Sequence, residues 1–135
     1  MRVMFWYCER FGWRPAVKTL EGAPAAEAAE ERDVVVAFVH VEPQDTAAGS
    51  PAETKLVKNA KWVARKWQVQ RVILHSFTHL GEAKALPEAA QELLTRAAAR
   101  LISADYTTVQ TPYGYFLDLD IAAKGHPLAR IYKAF

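Results

Sequence analysis

Arg71-Val-Ile-Leu-His-Ser-Phe-Thr-His-Leu80 is an apolar run that ends on hydroxyl, aromatic and imidazole side chains. Its first half, short and rich in branched apolar residues, reads as a buried strand. Loops leaving the C-terminal ends of strands are where α/β proteins usually place their chemistry. The flanking segments decide the architecture. Upstream, Ser50-Pro-Ala-Glu53 predicts a helix start, with serine at the N-cap, proline at the first helical position and glutamate closing a capping box. That helix is expected to reach about Trp67, with Leu56, Ala60, Val63, Ala64 and Trp67 facing the core. Downstream, a second helix is expected from about Pro87, burying Ala90, Leu93, Leu94, Ala97 and Leu101.

Further out, Val3–Tyr7 and Val34–Val41 are β-branched and aromatic, as buried strands are. Glu21–Arg32 is rich in Ala and Glu and reads as a solvated loop or frayed helix. After the second helix come strands at Tyr106–Gln110, Tyr115–Ala123 and Leu128–Phe135. Thr111-Pro-Tyr-Gly114 is expected to join the first two by a reversal, proline and glycine supplying fixed and positive φ. Leu117, Leu119 and Ile121 alternate with Asp118 and Asp120, the pattern of a half-exposed antiparallel strand. The expected fold class is α+β (mixed α/β): one domain, with two main helices packed on a mixed β-sheet.

Composition bounds the function. The 135 residues suit one domain, and 51% hydrophobic content can bury a core. A single cysteine, Cys8, forms no internal disulfide and suits a reducing, cytoplasmic setting. No apolar run approaches the roughly 20 residues of a membrane span, so no membrane partner is expected. Seventeen basic against fifteen acidic residues give only +2, so RNA contacts must come from local patches. One such patch is the ridge of Lys58, Lys61 and Arg65 on the first helix, either a solvated lysine face or a nucleic-acid backbone contact.

His75 and His79 are spaced i, i+4, but they lie at a strand end without a helical glutamate or a third ligand, so no metal is expected. Asp118 and Asp120 project from one outward strand face, where solvated charge explains them. Cys8 reads as a buried structural thiol. No phosphate loop, dinucleotide fingerprint or nucleophile elbow occurs, and no cofactor is expected.

Three segments carry a family likeness. They are Phe77-Thr-His-Leu80, Pro112-Tyr-Gly-Tyr-Phe-Leu117 and Lys124-Gly-His-Pro-Leu-Ala-Arg130. In order and spacing they resemble Phe-Ala-His-Leu, Pro-Phe-Gly-Tyr-Tyr-Lys and Lys-Gly-His-Pro-Leu-Ala-Glu of the archaeal-type threonyl-tRNA synthetase editing domain. Met1-Arg-Val3 and Val36–Glu42 extend the likeness over the whole chain. The resemblance implies a D-aminoacyl-tRNA deacylase-like fold and a proofreading deacylase that hydrolyses mischarged L-seryl-tRNA(Thr). Its implied partners are tRNA(Thr) carrying serine, a threonyl-tRNA synthetase catalytic module in cis or in trans, and a second copy in a homodimer. The chain is expected to be a piece of a longer synthetase or a separate editing subunit.

The same likeness implies site roles. His79 would seat the terminal ribose. Val41 and Tyr115 would wall the pocket, and main-chain groups of Ser76, Thr78 and Tyr113, with Gly114 in the turn, would hold the amino acid. Two positions depart from the family: Leu117 replaces its pocket lysine and Arg130 its glutamate. The hydrolysis then relies on main-chain groups and the substrate's own 2′-OH. Two readings stay open beside it, a D-aminoacyl-tRNA deacylase and a catalytically impaired module that binds tRNA or a synthetase.

Overall fold

The computed structural model describes all 135 residues, and its longest strand is the first: β1, Arg2–Lys18, well beyond the Val3–Tyr7 strand expected. It is followed by β2 (Ala29–His40), α1 (Ala52–Lys66), β3 (Arg71–Ser76), α2 (Pro87–Ser103), β4 (Thr107–Gln110), β5 (Tyr115–Ala123) and β6 (Arg130–Ala134), with 3₁₀ turns at Pro43–Thr46 and Pro127–Ala129. The sheet order is β4-β3-β2-β1-β5, with β6 also pairing β1. The β2-β3 and β3-β4 pairs are parallel, and every pair made by β1 is antiparallel. Two crossovers stepping the same way, each right-handed by preference, put α1 and α2 on the same face.

β1 is long because its two halves serve different neighbours. Arg2–Trp6 pairs β6 and Cys8–Lys18 pairs β5, while β2 runs along most of its other side. Val3, Phe5 and Tyr7 point into the core under the helices. A bulge between Cys8 and Arg10 resets the alternation, so Cys8, Phe11 and Trp13 all face a second core on the opposite side, with Val34, Val36, Phe38 and Ile73. Ala29–Arg32, expected within a loop or frayed helix, forms the start of β2, because pairing with Arg10–Trp13 satisfies its backbone.

Thr111–Gly114 is not the reversal of a hairpin. β4 and β5 lie at opposite edges of the sheet, and the segment crosses between them. Thr111 N donates to Leu74 O at 3.1 Å, while Gly114 O accepts from Thr19 N at 2.7 Å. Three residues span at most about 11 Å. The far end of β1 is therefore brought beside the end of β3, and the β1–β2 ribbon curls over the second core. Gly114 sits at φ +86, and a Cβ there would meet Ala23 Cβ at 2.9 Å, so the positive φ expected of it serves this crossing.

The expected capping box at α1 is absent. Ser50 Oγ does accept from Ala52 N at 3.2 Å, but the Glu53 carboxylate turns away to Arg96 at 2.7 Å and Arg100 at 2.9 Å on α2. Two charge-assisted bonds outweigh one bond to a backbone amide.

Candidate active site

The loop that leaves β3 is held from several sides. Phe77 N donates to Val39 O at 2.9 Å, which fixes its first residue to β2. His40, fully buried, accepts from Leu80 N through Nδ1 at 3.1 Å and donates through Nε2 to Ala83 O at 2.7 Å. Those two bonds select one imidazole tautomer. Arg2 Nη1 donates to Leu80 O at 3.3 Å. Sequence reasoning assigned no role to His40; its place at the end of an apolar strand, opposite the loop, is the signal.

On this loop the His79 ring is exposed, edge-on to Phe77 at 4.9 Å and stacked with Phe116 of β5 at 6.4 Å. The first and second signature segments thus meet through side chains. His75 behaves differently from His79. It is buried beside Phe38 and hydrogen-bonded to Thr111 Oγ1 at 2.9 Å, and burial lowers its pKa to about 4.

Leu117, at the family's lysine position, packs against the second core among Trp6, Phe77 and Leu119. Arg130, at the family's glutamate position, is exposed; its Nη2 donates to Lys124 O at 2.8 Å and its guanidinium lies 5.6 Å from the Trp6 ring centroid. Trp6 was missed in the sequence, where nothing marks it; only the β1–β6 register, Trp6 opposite Arg130, places it here. The Trp6 Nε1–H is buried without a partner.

The remaining candidates lie on the other side of the sheet or at its end. Val41 is buried in the core beneath the helices, and Tyr113 packs against that core. The Tyr113 hydroxyl donates to Pro87 O at 2.8 Å, and burial raises its pKa against the opposing effect of a bond with Ser76. Tyr115 donates to Pro24 O at 2.6 Å. Ser76 and Thr78 are half-buried at the strand end. The segment after β3 bridges the two faces: Phe77 packs against the second core, while Ala85 is buried in the core beneath the helices, where its N donates to Val41 O at 2.9 Å.

The third signature segment is pinned by α1. Trp67 Nε1 donates to Leu128 O at 2.9 Å, and the His126 ring stands edge-on to Trp67 at 5.3 Å. This anchors the start of β6 and hence Arg130. Cys8 is buried, with its thiol pushed up to about 12 by burial, as a structural thiol should be. Asp118 and Asp120 are exposed and paired with Arg14 at 2.9 Å and Arg10 at 3.1 Å. Lys58 and Arg65 are exposed and Lys61 half-exposed along α1. A cleft of about 350 Å³ lies away from all of these, between Gln44–Ala52 and Phe135; its one charged group, Asp45, is already bound to the Met1 ammonium.

The model of the Archaea-specific editing domain of threonyl-tRNA synthetase matches residues 1–135. The chain belongs to that family. Threonine–tRNA ligase of Methanopyrus kandleri is 29% identical over 133 residues, covering 97% of this chain and 21% of that protein. The ligase of Pyrococcus horikoshii is 33% identical over 99 residues, covering 73% of this chain and 16% of that protein. The editing-domain chain thus spans about a fifth or less of the relatives it matches. The solved c-Myc DNA Unwinding Element Binding Protein superposes with a TM-score of 0.68 at 8% identity, covering 100% of this chain and 99% of that one. That likeness is one of fold, and it is the D-aminoacyl-tRNA deacylase-like α+β fold expected from the sequence. Editing by this family is aminoacyl-tRNA deacylation linked to threonine–tRNA ligation. No helix of the chain is long and apolar enough to cross a membrane.

Proposed function

We propose that this chain hydrolyses the ester of L-seryl-tRNA(Thr) and spares L-threonyl-tRNA(Thr). The observation that carries the reading is the meeting of the strand-end loop with β5 through His79 and Phe116, in a chain of the editing-domain family. Serine and threonine differ by one methyl, which a binding pocket separates by only about 10- to 200-fold, so a second, hydrolytic sieve is needed. Main-chain groups of Ser76, Thr78 and Tyr113, with Gly114, hold the amino acid's ammonium and hydroxyl. His79 seats the ribose, and Val41 and Tyr115 limit the space for the extra methyl.

Leu117 is apolar and the Arg130 guanidinium is engaged by Lys124 O and Trp6, so neither supplies a base. The ribose 2′-OH, already adjacent to the ester, orients the attacking water or stabilises the developing oxyanion. Lys58, Lys61 and Arg65 contact the tRNA backbone. A threonyl-tRNA synthetase catalytic module, in cis or in trans, is the functional partner. A homodimer is favoured by Val17 and Phe116, each 57% exposed on paired strands.

Deacylation assays with L-serine, L-threonine and D-amino acids on tRNA(Thr) test the reading. The expected outcome is rapid loss of the L-seryl ester alone, and its survival when the terminal ribose is 2′-deoxy. Hydrolysis of D-esters but not the L-seryl ester would establish the D-aminoacyl alternative. Tight binding of a stable seryl-tRNA analogue without turnover of the ester would establish a non-catalytic binding module.

A further inference from the structure

We infer that Trp62, with Lys66 and Lys133, is a stacking platform for an unpaired RNA base, set in a cationic surface formed by α1 and β6. The inference rests on the deacylase reading for the identity of the RNA, a tRNA, though not for its test.

Charge on this molecule is segregated. Ion pairs absorb Arg2, Arg10, Arg14, Arg32, Arg71, Arg96, Arg100 and Lys124. On α1 the only acid, Glu53, is drawn to α2 by Arg96 and Arg100. The cations Lys58, Lys61, Arg65 and Lys66 that follow it take part in no ion pair. A solvated lysine face would spread such ammonium groups into water. Here Lys66 Nζ lies 5.6 Å from the Trp62 ring centroid and Lys133 Nζ, arriving from β6, lies 5.8 Å from it. Two like charges sharing one indole, with no carboxylate between them, are complementary to a phosphate.

Trp62 is 37% exposed, so part of its ring is open. An aromatic ring framed by cations is the arrangement that holds single-stranded nucleic acid, the base on the ring and the phosphates on the charges. Duplex RNA offers no free base face, so the occupant is an unpaired strand such as the 3′ end of an acceptor stem.

The location fits. In the β1–β6 register Lys133 lies opposite Val3, which faces the helices, and Arg130 opposite Trp6, which faces the second core. The two residues are three apart on one edge strand, about 10 Å. A strand stacked on Trp62 reaches the Arg130–Trp6 face by crossing that edge.

Direct binding tests this without turnover. The full chain is titrated with a labelled single-stranded oligoribonucleotide, a duplex of the same length and uncharged tRNA(Thr), over a range of salt. Trp62→Ala is expected to weaken single-strand and tRNA binding by roughly 5- to 150-fold, and Trp62→Phe to restore most of it. Changing both Lys66→Gln and Lys133→Gln is expected to lower the salt slope on single strands by about 1.4, while Arg71→Gln, on the far side of the sheet, leaves it alone. Unchanged affinity in Trp62→Ala, equal binding of duplex and single strand, or an equal effect of Arg71→Gln would overturn the inference. A chain that binds as expected yet leaves the L-seryl ester intact would refute the deacylase reading alone.

Discussion

The imidazole of His79 and the ring of Phe116 lie 20° from parallel with centroids 6.4 Å apart, joining a loop on β3 to a strand made nearly forty residues later. His79 is exposed, so its removal should act on the substrate rather than the fold. His79→Ala is expected to raise KM for seryl-tRNA about 5- to 10-fold, the value of one hydrogen bond. Its stability should stay within about 0.5 kcal/mol of the parent. Steady-state deacylation and urea unfolding measure the two. An unaltered KM would reduce the ring contact to packing.

Leu117→Lys restores the side chain the family carries there. If the 2′-OH and peptide groups do the chemistry, kcat should change by less than about tenfold, near 1.4 kcal/mol in barrier. Because Leu117 packs against an apolar core, the new ammonium must be desolvated, and the variant is expected to unfold at lower urea. A large gain in kcat would instead mark the parent chain as partly disabled.

His75 sets a pH dependence of stability. Burial lowers its pKa from 6.5 to about 4, so the unfolded chain takes up a proton that the folded one refuses. Stability is therefore full above pH 6.5 and falls as the pH drops toward 4, by on the order of 3 kcal/mol from this residue. Urea midpoints at pH 7, 5.5 and 4 should show the decline, and His75→Gln should make it shallower. An equally steep decline in the variant would assign it to the carboxylates.

The Met1 ammonium is fully buried, bonded to Asp45 at 2.8 Å, Glu42 at 2.9 Å and Phe135 O at 3.0 Å. The bond to the ammonium also holds the Glu42 carboxyl below its ordinary range. Asp45→Ala would strand a buried charge and is expected to cost about 3 to 5 kcal/mol. Glu42→Gln, at a less buried partner that can still accept a hydrogen bond, should cost less. Equal effects of the two would remove Asp45 from its leading role.

Helix stripes and β5 were legible because each obeys one local period: every residue expected to be buried on α2 is buried, and β5 spans Tyr115–Ala123 as its alternation requires. The length of β1 was not, because Glu9-Arg-Phe-Gly-Trp-Arg-Pro15 mixes charge, glycine and proline and is held extended by partners on both sides. The path after Thr111 was misread for a related reason. Proline and glycine announce a change of direction, but the partner strand is chosen by the curl of β1, which no local signal encodes. At the candidate site, the place of His79 on the strand-end loop could be read from motif spacing. Phe116, Trp6 and His40 could not be assigned roles, since each acquires its meaning from a residue far off in the chain.

Arg2 is paired with Ala134, so β1 gains its second neighbours from strands about a hundred residues or more further along the chain. Until β5 and β6 are in place, β1 presents an open edge to solvent or to chaperones. Folding of this module thus waits on its most distant strands, and its rate should be governed by long-range strand closure rather than by its two quick helices.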